Sequence, residues 1–238
     1  MIKKINTKLA KLIKYYSLIN HNLIYENEAI NRYKINGNLS FKGAKGKRLQ
    51  ELRDSIVKIK NCELKKNSTN IVFSDGNPNA KIMVVGEGPG ANEDFEGVPF
   101  IGRTGELLDK MFLSINLNRD NIYISNVVNY RPPENRNPTK EEIARYLPFL
   151  IKHIEIIKPQ ILILLGSTAL NAIIGSDKVI SDARGEWIEK KIGNCNTSII
   201  VSFHPAFLLR QPDQKKNSWI DLKRIKKKIL DLRINIEK

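Results

Sequence analysis

The chain has 238 residues, 41% hydrophobic and 27% charged, a composition that suits one mid-sized globular domain with an appendage and holds no apolar run near the ~18 residues of a membrane span. Its two cysteines, Cys62 and Cys195, make neither a disulfide framework nor a four-thiolate metal site. The net charge of +15 is gathered at the ends: residues 1–70 carry 16 Lys/Arg against 5 Asp/Glu, residues 71–200 carry 14 against 16, and residues 201–238 carry 10 against 4. Basic ends around a near-neutral body fit a polyanion partner, or compositional drift in a chain rich in Lys, Asn and Ile.

The N-terminus, MIKKINTKLAKLIKYY, lacks the apolar core and cleavage site of a secretory signal, so a cytoplasmic location is expected. Ile5, Leu9, Leu12, Ile13, Tyr16 and Ile19 recur at helical spacing, with lysines on the other face. Residues 36–47 (NGNLSFKGAKGK) read as a basic linker and residues 48–60 as a helix. The expected division is thus a helical, basic extension over 1–48 and a domain over 49–238.

From residue 81 the pattern changes. KIMVVG (81–86), NIYISNVV (121–128), QILILLG (160–166) and SIIVSF (198–203) are short, β-rich apolar runs. Helical segments are expected over Gly105–Ile115, Thr139–Ile157, Ser167–Ile174 and Trp219–Ile234, and ARGEWIEKKIG reads as a hairpin or loop. Fully apolar strands separated by helices indicate a parallel sheet covered on both faces. The expected fold is an α/β/α sandwich around four parallel strands, with its site at their carboxyl ends.

Those ends carry the chemistry. The first strand runs into GEGPGANEDFEGVPFIG. Its Gly/Pro turn lets backbone approach a ligand, but it is neither a Walker A loop nor a dinucleotide fingerprint. Glu87, Glu93, Asp94 and Glu96 form an acidic cluster that a solvated loop would also show; Glu87 differs in following a buried strand directly. Phe100 suits either a core plug or a stacking face for a planar ligand. Asn126 ends the second strand, where its amide can form a turn or read a base edge. Arg131 and Arg136, in a Pro-stiffened segment, can face phosphates. Of three histidines, His204 alone stands at a strand end. The segment after it, Ala206-Phe207-Leu208-Leu209-Arg210, suits a buried loop or an apolar wedge that fills the gap left by a flipped base.

Taken together, GEGPGANEDFEGVPFIGRTGELLD, YISNVVNYRPPENRNPT, ILLGSTA and SFHPAFLLR, in that order, resemble the family 4 uracil-DNA glycosylases. The likeness runs from about Leu52 to Arg233. It implies hydrolysis of the bond between uracil and deoxyribose, with Glu87 and His204 catalytic. It further implies that Gly88, Glu93, Phe100 and Asn126 hold the base. Pro89, Arg131, Ala206, Leu208, Leu209 and Arg210 are then the DNA contacts. His204 would donate to uracil O2 as the bond breaks, and Glu87 would position water. Asn126 would pair with N3–H and O4, and Glu93 would wall off C5 against the thymine methyl.

The family holds a four-iron–four-sulfur cluster on four cysteines. The corresponding positions here are Ile59, Cys62, Tyr130 and, near the fourth, Tyr146. One thiolate of four remains, so no cluster and no metal are expected, with apolar and aromatic packing in its place. The expected partner is uracil-containing DNA, with no membrane contact and a monomeric state. Two rivals stand beside this: a non-catalytic nucleic-acid-binding module of the same fold, and a flavodoxin-like enzyme binding a free mononucleotide on the turn at 86–90.

Overall fold

The computed structural model describes residues 43–175 and 178–236; the helix expected over residues 5–20 lies outside them. Helix α1 (Gly43–Val57) begins five residues earlier than the sequence pattern suggests, inside the segment read as a linker. Leu49, Leu52 and Ile56 bury one face of it, and the Lys45 ammonium donates to the carbonyls of Pro78 and Ile157 at 3.1 and 3.2 Å. A short helix, α2 (Glu63–Lys66), leads to a two-residue strand, β1 (Asp75–Gly76).

The core of the fold then follows. Strand β2 (Ile82–Gly86) is followed by α3 (Ala91–Glu96) and α4 (Gly102–Leu113), then β3 (Tyr123–Asn126). Helix α5 (Lys140–Ile157) starts at an N-cap, Thr139, whose hydroxyl accepts from the Glu142 amide while Glu142 returns a bond to the Thr139 amide. It stops at Lys158 in the left-handed region, ahead of Pro159. Strand β4 (Ile161–Leu165) feeds α6 (Ser167–Ile173). After α7 (Ile180–Ala183), β5 (Trp187–Ile192) and β6 (Cys195–Ser202) form a hairpin, followed by α8 (Pro205–Arg210) and α9 (Lys215–Asp231).

The sheet has the order β1-β3-β2-β4-β6-β5. The four apolar runs are its parallel centre, as expected. The sequence offered a hairpin or loop where β5 lies but did not disclose β1. Every residue of β2, β3 and β4 is buried, which is why these strands read as unbroken apolar runs. Their side chains still divide by alternation. Ile82, Val84, Ile124, Ile163 and Ile200 pack against α4 and α9; Met83, Val85, Leu162, Leu164 and Val201 pack against α1, α5 and α6. The three layers are thus α/β/α. Among the described residues no helix is long and apolar enough to cross a membrane.

Connections from β2 to β3 leave on one side and those from β3 to β4 cross to the other. The switch point therefore lies between β2 and β4. The crevice outside carboxyl ends at such a point is where open α/β sheets bind ligands.

Candidate active site

Strand register delivers the polar residues to one end of the sheet. Gly86 pairs with Asn126, and Leu165 with Ser202. Glu87, Gly166 and His204 follow within two residues of these pairs. Around them lies a cavity of about 430 Å³, lined by Glu87, Asn126, Phe100 and His204 among others.

The Phe100 ring centroid stands 5.5 Å from that of His204, tilted by 31°. Phe100 is 4% exposed and has a φ of 54°, a left-handed conformation unusual for an aromatic residue. Arg119 holds it there by donating to the carbonyls of Pro99 and Phe100 while pairing with Asp75 and Asp109. Gly86 makes room beneath: a side-chain carbon at that position would overlap both the Phe100 ring and the Asn126 amide oxygen. Asn126 is 3% exposed, and its Oδ1 is buried without a hydrogen-bond partner among the described residues. An acceptor left open in a cavity wall is a vacancy for a donor on a ligand.

His204 is the N-cap of α8, and its Nδ1 accepts from the Ala206 amide at 3.2 Å. An amide can only donate, so the ring proton of the neutral imidazole sits on Nε2. Burial, with Arg210 adding to it, pushes the His204 pKa down to about 4, so the ring is neutral at physiological pH. Glu87 presents Oε2 to the Thr168 hydroxyl. Glu93 accepts from the Gly90 and Ile101 amides at 3.1 and 3.0 Å, stapling the Gly/Pro turn to the loop that carries Phe100. Burial raises its pKa, against the pull of those amides and of Arg119.

Of the expected site residues, Glu87, Gly88, Pro89, Glu93, Phe100, Asn126, His204, Ala206 and Arg210 all line the cavity. Three do not. Arg131 stands off it, its Nε donating to Asn135 Oδ1 at 2.7 Å. Leu208 is fully buried, which corrects its reading as part of a duplex wedge; Leu209, 37% exposed, keeps an outward position. The segment is a helix, so neighbouring leucines point to different sides. Glu93, Asp94 and Glu96 of the acidic cluster lie on a helix, α3, and Asp94 is 4% exposed where it accepts from the amides of Thr69 and Asn70. Sequence reasoning missed Thr168, although ILLGSTA was among the matching stretches. It placed Phe207 only within the wedge or buried loop; the residue lines the cavity, and its ring packs on Phe203 at 4.9 Å.

Comparison with known proteins gives the family of the chain. The uracil DNA glycosylase superfamily matches residues 73–225. The chain belongs to that superfamily. It is 42% identical to the type-4 uracil-DNA glycosylase of Thermotoga maritima over 163 residues, covering 68% of this chain and 83% of the relative. The type-4 enzymes of Archaeoglobus fulgidus and Sulfurisphaera tokodaii are 36% and 37% identical over 181 and 183 residues, or 91% and 83% of their lengths.

The chain departs from the iron–sulfur pattern, and the corner concerned is well packed. The Cys62 thiol and the Tyr146 hydroxyl hydrogen-bond at 3.3 Å, Tyr130 is 5% exposed, and Ile59 packs against the same core. Three of the four positions supply no thiolate. The donor set does not fit a cysteine-ligated cluster, and no group of three or more metal-ligating side chains occurs among the described residues.

Proposed function

We propose that this protein removes uracil from DNA by hydrolysing the N-glycosidic bond and leaving an abasic site. The observation that carries this reading is the pairing, in one cavity, of an unpartnered Asn126 acceptor with a His204 ring fixed as an Nε2–H donor. A flipped uracil offers N3–H to the Asn126 oxygen and takes a bond from its amide at O4. Cytosine reverses that pattern and leaves buried groups unpaired, a stronger bar than a missing contact. Phe100 stacks on the ring. Glu93, held by its two amides, stands near C5.

As the bond breaks, negative charge grows on uracil O2. A neutral His204 that donates from Nε2 stabilises that charge more in the transition state than in the ground state. Glu87 holds water and offsets cationic character on the sugar, as carboxylates do in glycoside hydrolysis. Leu209 enters the stack, and Arg210 and Arg131 meet phosphates. The basic ends, including the residues that precede α1, add affinity that falls with salt. The protein acts as a monomer in the cytoplasm, without an iron–sulfur cluster. A module that only bound nucleic acid would have no use for the fixed tautomer of His204.

The test is excision from an oligonucleotide with one uracil, followed by alkaline cleavage. Colourless protein without stoichiometric iron cuts at the uracil position and leaves a thymine control intact. Intact strands at stoichiometric protein refute the reading.

A further inference from the structure

We propose that Thr168 is a positioning residue for Glu87, and that the turn between β4 and α6 sets both catalytic side chains; this deepens the glycosylase reading and rests on it. Thr168 is 6% exposed, and its hydroxyl donates to Glu87 Oε2. The two residues follow neighbouring strands, paired as Val85 with Leu164, so the bond spans the switch point of the sheet. Glu87 Oε1 has no hydrogen bond within the described residues, which leaves that oxygen to hold water.

The same turn also reaches His204. The Gly166 amide donates to the Ser202 carbonyl at 3.0 Å, two residues before the histidine. Gly166 has a φ of 91°, and a Cβ there would come to 3.1 Å from the His204 Cβ. Backbone thus backs the imidazole on one side while a hydroxyl orients the carboxylate on the other. A carboxylate at a strand end rotates about its side-chain bonds; a buried donor selects one orientation and so reduces what must be ordered in the transition state.

Threonine and valine have nearly the same shape, so Thr168→Val removes the donor and keeps the packing. The rate is read on the uracil oligonucleotide, with kcat and KM separated. The loss of one hydrogen bond to a charged group corresponds to about a tenfold fall in kcat, with KM held within about twofold. Thr168→Ser, which restores the hydroxyl, returns kcat to within about threefold of the parent. In a Glu87→Ala background, followed under single-turnover conditions, adding Thr168→Val changes the rate by less than about twofold because the partner is already gone.

An unchanged kcat in Thr168→Val overturns the proposal. So does a serine variant as slow as the valine one, or a full tenfold loss on top of Glu87→Ala. Thermal melting checks folding; if the valine variant melts early, Thr168→Ala takes its place and the serine comparison still decides. Inactive parent protein would sink the glycosylase reading itself, whereas an active parent with an indifferent valine variant sinks only the role of Thr168.

Discussion

Asn126 carries a cost in the free protein that the proposed uracil contact would offset. A buried acceptor without a partner costs about 1–3 kcal/mol, and Asn126 Oδ1 is such an atom. Asn126→Leu removes it in a side chain of similar size. Stability should therefore rise by about 1 kcal/mol, read by urea unfolding, while uracil excision falls at least a hundredfold. A variant that lost both together would mark Asn126 as structural. Glu87, Asn126 and His204 were legible in the sequence because each ends or closely follows a buried apolar strand, and a strand fixes where its end goes. Thr168 was not, since a hydroxyl residue at a helix start reads as local capping. The difference between Leu208 and Leu209 was hidden too, because it depends on the phase of a helix only six residues long.

Arg119 does for an element what Thr168 is proposed to do for a side chain. Its guanidinium joins Asp75 of β1, Asp109 of α4 and the carbonyls that precede α4, and it is 27% exposed. Arg119→Met leaves two carboxylates and two carbonyls without their shared donor. The expected cost is about 2–3 kcal/mol by urea unfolding. Phe100 also loses its restraint at a φ of 54°, so KM for uracil DNA should rise more than kcat falls. Unchanged KM in a destabilised protein would show that Phe100 keeps its place unaided. None of this was foreseeable from the local pattern around Arg119, because its partners lie up to 44 residues away. The same limit applies to the sheet edges. Strand β1 is two residues long, and β5 (WIEKKI) is half exposed and half charged, so neither carries the apolar run that disclosed the centre.

At the scale of the whole molecule, two described histidines, His153 buried and His204 half-buried in the cavity wall, contribute to the response to acid. His153 lies under the sheet, stacked on Phe73 at 4.6 Å, with Nε2 2.7 Å from the Tyr123 hydroxyl, which in turn donates to Ser74. Burial pushes its pKa from 6.5 down to about 3, and that of His204 down to about 4. Both folded values lie below the unfolded one. Their contribution to stability is therefore complete above about pH 6.5 and is lost as pH falls toward the folded values. At about pH 4.5 each histidine withholds a proton that the unfolded chain binds, which removes about 2–3 kcal/mol per residue. Glu93 and Asp221 act in the opposite sense, because burial raises their pKa and protonation relieves them. The histidine share is isolated by His153→Phe, which keeps an aromatic ring but cannot titrate. That variant is weaker at neutral pH, having lost the bond to Tyr123. Its stability should nevertheless fall by about 2 kcal/mol less than that of the parent between about pH 7 and pH 4.5, read from urea midpoints. Parallel pH curves for the two proteins would mean that His153 does not titrate with unfolding, and that acid acts through the carboxylates instead.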